Sequence, residues 1–588
     1  MSVTAEERSA DEPHEPRAAA TTDPDEHPPP RPDGEPDATP ADAPSRWRRL
    51  RPGRLSIAGG VLALVLSLMS VTPSYVPRGW TLQALLVALC AVVGYAAGAL
   101  LGWAYRTLGL PDLPAPARRL AWLVLGVIAV LGLPAAAWFG RAWQVDQQEM
   151  FGMTPDVPWL WIASPYLGVL VAVVLLAVGR IVKGLARLLV VPLVRFVPTR
   201  VAWLLAIVVT AVVTWLVVSG LVGGALLGRM DSSFAAANDG NYPWVTDPQS
   251  PFRSGGPDSE VTWDSIGQEG RDFISQGLTS AQIARVVDDP GAKDPVLAYV
   301  GLGAAQSPQD RAELAVRELR ALGGLQRGAV AVAGVTGRGW IDPQASQALQ
   351  YATHGDVAIV ATQYSYQPSW LSFIIGRERA QKDAGVLLDH IRVAIKDLPP
   401  EERPQLYVFG ESLGAFSADS AFTSVEDVSA TTDGALFIGP PSFDANWTAV
   451  QTGREPGSPL WQPRYGDGSL VRVAATSREL TDLTLVWETD SPVIYLVHSS
   501  DPVVGWDVDY AEWLDPRGPD TSPFMVAWPV VTYLQATLDQ FGATAVPPGH
   551  GHVYDETVVT AWSEIVGPPR LPAEEVDAIQ TAIRDLPE

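Results

Sequence analysis

Cysteine is nearly absent from the 588-residue chain, in which Cys90 is the one cysteine. A single cysteine excludes an intramolecular disulfide and any metal site built from several thiolates. Because Cys90 lies within an apolar run, we interpret it as a small buried side chain.

Basic charge is scarce as well. The chain has 4 lysines, and its formal net charge is -24. Nucleic-acid binding requires a basic surface that neutralises phosphates, and the C-terminal half shows no basic stripe. The composition therefore argues against a nucleic-acid partner.

The segment before the first long apolar run is too polar to form a core. Residues 1–45 are rich in Pro, Asp and Glu and contain no aromatic residue, so they cannot bury enough apolar surface to offset the entropy of folding. Residues 46–54 add a cluster of five arginines. We expect residues 1–54 to be a disordered acidic tail that ends in this basic cluster.

Five long apolar runs follow within residues 55–229. A helix crosses a bilayer in about 17 to 25 apolar residues, and each run is about that long. The runs are 55–71, 80–105, 120–139, 159–179 and 201–228. Trp residues at ends of the last three runs are typical of the headgroup level. The pattern predicts an all-α transmembrane domain of five helices, since five such runs in succession argue against buried core helices.

Lys and Arg in the short loops indicate the orientation, because they accumulate on the cytoplasmic side. The cluster in 46–54 places the N-terminus inside, and basic residues after the second and fourth runs fall on the same side. An odd number of spans then leaves everything after Arg229 outside. We expect a multi-pass plasma-membrane protein with a cytoplasmic N-terminus and an extracytoplasmic C-terminal domain.

The remainder has the composition of a soluble domain, with a predicted linker at 230–262 and a folded domain at 263–588. Short, continuously apolar strands alternate with helices, which is typical of a parallel sheet covered on both faces. The predicted strands are 296–300, 329–333, 357–362, 406–409, 435–438 and 493–497, and the predicted helices are 310–322, 343–351, 378–398 and 413–422. This alternation predicts an α/β-hydrolase domain.

A serine-centred motif stands between the predicted strand 406–409 and the helix after it. The motif reads Gly410-Glu411-Ser412-Leu413-Gly414. In G-x-S-x-G the serine occupies a strained strand-to-helix turn that small neighbours permit, so its hydroxyl is exposed above the sheet. The five-residue pattern also occurs in chance glycine-rich turns. Because a strand and a helix flank it here, we interpret Ser412 as a nucleophile.

The other two members of a catalytic triad are expected in the order acid, then histidine. Asp501 follows the last predicted strand, where the orienting carboxylate belongs, although Asp before Pro also begins ordinary turns. The Gly-rich loop 547–554 holds two histidines. We favour His552 and keep His550 as the alternative. No cysteine or HExxH partner completes a metal site around them, so we expect no metal and no cofactor.

The predicted reaction passes through an acyl-enzyme. His552 takes the proton of Ser412 as the hydroxyl attacks an acyl carbonyl, Asp501 fixes the imidazole tautomer, and water then releases the acyl group. The Leu413 N–H is one expected oxyanion donor. The second donor comes from loop 301–303 or loop 334–337, and we choose the Val335 N–H because its loop leads through one helix and one strand to the nucleophile strand.

An aromatic and aliphatic stretch follows the strand 357–362, where open α/β sheets bind ligands. Tyr364, Tyr366 and Trp370 are the candidate substrate-binding residues, and ordinary packing against the next helix is the alternative. Residues 442–491 and 503–546 are long enough to act as lids. Since the site should lie near the outer leaflet, we expect a lipid or envelope ester as substrate and membrane lipid as a partner.

Several short motifs also indicate a family. They include Trp263-Asp264-Ser265-Ile266-Gly267, the Ser412 motif, Ser500-Asp501-Pro502-Val503-Val504 and Gly549-His550-Gly551-His552. On these motifs, residues 254–554 resemble a family of bacterial, largely actinobacterial, multi-pass membrane proteins with an α/β-hydrolase domain of unassigned substrate. The N-terminal apolar part is similar to the membrane domain of that family. The resemblance implies a serine hydrolase but supplies no substrate. The predicted triad makes an esterase or lipase the expected type of enzyme.

Three functions are compatible with these residues. The first is hydrolysis of carboxylic esters. The second is acyl transfer, in which the same acyl-enzyme reacts with an alcohol instead of water. The third is a non-enzymatic membrane protein whose hydrolase fold binds a lipid or a protein partner.

Overall fold

The computed structural model describes residues 55–193, 197–198, 227–481, 486–506, 517–567 and 570–586, and scattered positions from 201 to 215. For 185–193 and 227–231 it describes the backbone alone. The predicted tail 1–54 lies outside the described residues, as does most of the predicted fifth span, 201–228.

Long apolar helices form the N-terminal part. They are α1 (Ile57–Met69), α2 (Trp80–Thr107), α3 (Ala115–Met150) and α4 (Ser164–Leu193). Three stretches are long and apolar enough to cross a membrane, namely α2, α3 and Trp159–Gly184. The first predicted span forms α1, whose 13 residues fall short of the length that a bilayer requires. The described residues thus contain three candidate spans and one shorter apolar helix, where the sequence predicted five spans.

A single parallel sheet is the centre of the C-terminal domain. Among the described residues it has seven strands, in the order β1-β3-β2-β4-β5-β7-β6. The strands are β1 (Val296–Val300), β2 (Ala329–Ala333), β3 (Val357–Thr362), β4 (Gln405–Glu411), β5 (Gly434–Ile438), β6 (Val471–Ala474) and β7 (Val493–Leu496). Their apolar runs are buried on both faces, as a parallel sheet between helices requires. The predicted parallel sheet is confirmed.

Helices connect and cover the strands. They are α5 (Leu227–Asp239), α6 (Gln268–Ser275), α7 (Ser280–Val287), α8 (Pro308–Ala321), α9 (Pro343–Ala352), α10 (Ser369–Ile375), α11 (Arg377–Lys396), α12 (Leu413–Asp419), α13 (Val425–Thr431), α14 (Ala445–Thr452), α15 (Ser477–Leu480), α16 (Val531–Asp539), α17 (Thr557–Ile565) and α18 (Ala573–Arg584). Side-chain caps fix several starts; for example, the Asp342 carboxylate accepts hydrogen bonds from two N–H groups of α9.

Two connecting segments contain structure that the sequence did not predict. Residues 471–474, placed in a lid-sized insertion, form β6 at the edge of the sheet beside β7. The signal was weak because the strand is four residues long and Arg472 interrupts its apolar run. In the predicted linker 230–262, α5 is helical, and Arg253 pairs with Leu297 at the free edge of β1. Both segments belong to the folded domain.

The register of the sheet brings four loops to one edge. Ala333 of β2 pairs with Phe409 of β4, while Ile438 of β5 pairs with both Glu411 of β4 and Leu496 of β7. Because parallel strands all point the same way, the loops that follow β2, β4, β5 and β7 meet at the carboxyl edge of the sheet.

A buried polar contact joins the N-terminal helices to the sheet domain. Arg78, in the loop between α1 and α2, donates from Nε to Oδ1 of Asp539 at the end of α16 over 2.8 Å, and both side chains are buried. The Ser74 hydroxyl also donates to this carboxylate, and Gln83 accepts a hydrogen bond from Nη1 of Arg78. Breaking such a pair leaves an uncompensated buried charge and costs about 3–5 kcal/mol, so it fixes how the two parts meet.

Candidate active site

Ser412 occupies a strained turn between β4 and α12. Its φ of 59° and ψ of -125° are rare for a residue with a side chain and cost about 1–3 kcal/mol. The Ser412 N–H donates to the Ile438 carbonyl of β5 over 2.8 Å, which holds the turn against the neighbouring strand. The serine is partly exposed, so its hydroxyl can meet a ligand.

Small residues allow this turn to pack closely. A Cβ added at Gly414 would lie 2.6 Å from the Gly334 carbonyl oxygen, and one added at Gly410 would lie 2.4 Å from the Gly414 carbonyl carbon. A side chain at Gly414 would push the start of α12 away from the loop after β2, and one at Gly410 would push it away from β4. The glycines of the motif are therefore required by close backbone approach.

Asp501 and His552 form a buried hydrogen-bonded pair. Nδ1 of His552 lies 2.6 Å from Oδ2 of Asp501. The Tyr554 hydroxyl donates to the same carboxylate oxygen over 2.9 Å, and the Val503 N–H donates to the other oxygen over 2.7 Å. A carboxylate on Nδ1 leaves Nε2 as the nitrogen available to accept a proton.

The imidazole of His552 lies beside the serine turn. A Cβ added at Gly439, the residue after Ile438, would lie 2.7 Å from Cε1 of His552. The His552 Nε2 atom is buried and has no hydrogen-bond partner in the described part of the chain. No hydrogen bond joins it to the Ser412 hydroxyl among the described residues, and catalytic contacts of this kind often close only in the substrate complex.

His550 has a different environment. Its ring stacks on Phe151 with centroids 4.3 Å apart, and its Nδ1 lies 3.9 Å from Oδ2 of Asp520. It does not contact Asp501 in the described contacts. The geometry thus favours His552 over the alternative His550.

Two backbone N–H groups beside Ser412 have no acceptor in the described part of the chain. They belong to Val335, in the loop after β2, and to Leu413, the first residue of α12. In the competing loop 301–303, the Leu302 N–H already donates to Gln363 over 3.1 Å. The Val335 and Leu413 groups therefore remain the candidate oxyanion donors.

A pair of acidic side chains lies under the nucleophile turn, and the sequence reasoning missed it. Burial raises the pKa of Asp342 to about 6. Burial, and then the nearby charges of Asp342 and Asp501, raise the pKa of Glu411 well above its usual value. Like charges in a dry site share a proton more readily than they both ionise. The sequence offered one signal of this acidic pair, which was the glutamate at the variable position before Ser412 in the serine motif.

Two side chains before Asp501 hold the histidine loop, and the role of Ser500 was missed. The Ser500 hydroxyl accepts a hydrogen bond from the Gly551 N–H over 2.8 Å, and Nδ1 of His498 lies 3.0 Å from the Gly551 carbonyl oxygen. Ser500 directly precedes Asp501 and His498 lies three positions before it, so one strand end supplies the acid and the contacts that hold the histidine loop. Polar residues flanking a candidate acid were the signal.

The three candidate substrate-binding residues lie in different environments. Tyr364 is buried and lines a small cavity beside Val335. Tyr366 is partly buried, and Trp370 on α10 is 50% exposed. No group of three or more metal-binding side chains occurs among the described residues.

The sheet and the geometry at its carboxyl edge define an α/β-hydrolase fold. Residues 296–579 match the model of an alpha/beta-hydrolase family, and residues 71–277 match the model of the N-terminus of that family. The two matches together cover most of the chain, which therefore belongs to this alpha/beta-hydrolase family. No curated protein and no solved structure matches the chain.

Proposed function

We propose that the protein is a membrane-anchored serine hydrolase that cleaves carboxylic esters through an acyl-enzyme on Ser412. One observation carries the proposal: the buried Asp501–His552 pair packs against Gly439, the residue after the strand end that accepts the N–H of Ser412, and this serine is held at positive φ between a strand and a helix. This is the set of roles that a nucleophile, a base and an orienting acid require.

Each residue has one role in the proposed reaction. His552 accepts the Ser412 proton on Nε2 while the oxygen attacks the ester carbonyl, and Asp501 stabilises the imidazolium through Nδ1. The N–H groups of Val335 and Leu413 bind the oxyanion. The imidazolium then protonates the leaving alcohol, and water activated by the same imidazole releases the acid. The reaction requires that Ser412 and His552 come within hydrogen-bond distance when substrate binds.

The contacts of the N-terminal part support a site outside the cell. The sheet domain touches Ser74, Arg78 and Phe151, all in loops that the distribution of basic residues places outside. A site held against these loops lies at the membrane surface. Esters of membrane or envelope lipids are therefore the proposed substrates.

Hydrolysis of a soluble p-nitrophenyl ester by purified full-length variants tests the proposal. We expect Ser412→Ala and His552→Ala to lower kcat by about 10³-fold or more, since triad members act as a unit. His550→Ala should cause a much smaller loss. Ser420→Ala, at the other end of α12, is the matched control and should stay within threefold of wild type. Equal rates for wild type and Ser412→Ala would reject the mechanism.

A further inference from the structure

Helix α16 packs on the candidate membrane span α2. Val531 and Leu538 of α16 are buried in one cluster with Leu86 and Cys90 of α2, and side chains of α1 pack against that cluster. These four side chains are apolar or nearly so. The contact therefore has the character of helix packing inside a membrane domain.

The position of this contact along α2 indicates its depth. Trp80 begins α2, and a Trp at a span end is typical of the headgroup level. Leu86 and Cys90 follow six and ten positions later, which is about 9 and 15 Å along a helix. At the other end, Asp539 binds Arg78 just before α2. Helix α16 thus ends next to the loop before α2 and packs on the first turns of α2, below the expected headgroup level.

The segment 524–538 has the side chains that such a position requires. It contains no charged residue. Phe524, Val526 and Val530 are 48%, 39% and 40% exposed, and the Phe524 ring stacks on Trp143 of α3. The Gln535 side chain is buried and donates to the Thr72 carbonyl over 2.9 Å.

A row of aromatic rings continues from this segment to the nucleophile helix. Neighbouring rings in the row have centroids 4.6–5.9 Å apart. The row runs Tyr533, Trp506, Phe373, Phe443 and Phe416. All but Phe416 are partly buried rather than enclosed, and Phe416 lies four positions after Ser412. The row therefore offers a continuous apolar surface from membrane depth to the serine.

We propose that residues 524–538 lie within the leaflet next to the sheet domain, and that the aromatic row guides the acyl chain of a bilayer lipid ester to Ser412. The occupant is an acyl chain because the surface is apolar and continuous with the membrane-spanning helices. This inference rests on the proposed hydrolase function and adds that the substrate is taken from the bilayer, not from water.

Nitroxide labels measure the depth directly. In a Cys90→Ser background, we place single cysteines by Val526→Cys and Val530→Cys, and by Val393→Cys on exposed α11 as the control. The full-length protein is measured in phosphatidylglycerol–phosphatidylcholine vesicles. Oxygen should relax the labels at 526 and 530, and a water-soluble nickel chelate should not. The ratio of oxygen accessibility to chelate accessibility should be at least fivefold higher at these two sites than at 393. Equal access of the chelate to all three sites would overturn the proposed depth.

Chain-length preference tests the route. We compare hydrolysis of a C16 ester in vesicles with that of a soluble C4 ester. Trp506→Ala and Phe373→Ala should lower the C16-to-C4 rate ratio at least tenfold, whereas Trp244→Ala, outside the row, should leave the ratio within twofold. An unchanged ratio with Ser412-dependent C4 hydrolysis would reject the route alone. Loss of Ser412 dependence for both esters would reject the underlying hydrolase function instead.

Discussion

The two carboxyl groups of Asp342 and Glu411 lie where the serine turn leaves the sheet. A protonated pair there carries less negative charge next to the site in which an oxyanion would form, and repulsion of that oxyanion is correspondingly smaller. Asp342 also caps α9, the helix that follows the Val335 loop. The pair thus affects both the charge near the candidate site and the position of Val335, one of the proposed oxyanion donors.

The pair should also make stability depend on pH. The folded pKa of Asp342, about 6, exceeds the usual value of about 3.9, so the folded state holds a proton that the unfolded state releases. Stability from this group is fully present below about pH 4 and is lost as the pH rises through about 6. Asp342→Asn keeps an oxygen for the helix cap and should flatten that loss by about 1–3 kcal/mol.

Denaturant unfolding at several pH values checks this expectation in detergent-solubilised protein. Asp389→Asn, on the exposed side of α11, is the control and should run parallel to wild type. A wild-type minus Asp342→Asn difference that does not change between pH 4 and pH 8 would show that the carboxyl is not held protonated by the fold.

The sequence predicts the candidate catalytic residues better than it predicts the residues that hold them in place. Ser412, Asp501 and His552 could be proposed because each follows a strand or a glycine-rich loop in the order that the fold requires. Tyr554 and Ser500 could not be assigned in the same way. Their contacts with Asp501 and Gly551 depend on side-chain directions that no local spacing encodes.

Four loops at the carboxyl edge of the sheet together form the candidate site. The loops after β2, β4, β5 and β7 supply Val335, Ser412, Gly439 and Asp501, and the register of the strands sets their spacing. Gly439 has no side chain, and the His552 ring occupies the space that a Cβ would fill.

Gly439→Ala should separate histidine placement from backbone strain. Gly439 has φ 53° and the new Cβ would lie 2.7 Å from His552, whereas Gly466 has φ 55° with open space around it. Both substitutions introduce a similar backbone strain of about 1 kcal/mol or more. We expect Gly439→Ala alone to lower kcat/KM, by about 10- to 100-fold, because small misplacements of catalytic groups are costly.

Ester hydrolysis and thermal unfolding of both variants test whether Gly439 positions the His552 ring. Comparable activity in the Gly439→Ala and Gly466→Ala proteins would mean that the imidazole is not held against Gly439. A lower Tm without a selective loss of activity would count against the placement as well.

Elements were predictable where a long apolar run or a clear alternation defined them. Six strands were read from continuous apolar runs, while four-residue β6 with its central arginine was not. The predicted spans differ for a similar reason: composition identifies apolar runs, but the end of α1 at Met69 is set by the turn that follows it, which apolar character alone does not show.

At the scale of the molecule, the N-terminal helices and the hydrolase domain share one interface. The loop before α2 supplies Tyr75 and Val76, which are buried with Phe151, Met525 and Ala536. The Tyr75 hydroxyl donates to the Gly505 carbonyl, four positions after Asp501, over 3.2 Å. The interface therefore reaches the loops that carry the proposed acid and histidine, and it was not predictable from either part of the sequence alone.

The proposed mechanism depends on Ser412 being a nucleophile that His552 activates. Labelling of the full-length protein in membranes with a fluorophosphonate, followed by mass spectrometry of the peptide that contains residue 412, tests it most directly. We predict one adduct on Ser412, absent in Ser412→Ala and at least 100-fold slower to form in His552→Ala. An unlabelled Ser412, under conditions in which a known serine hydrolase is fully labelled, would contradict the claim.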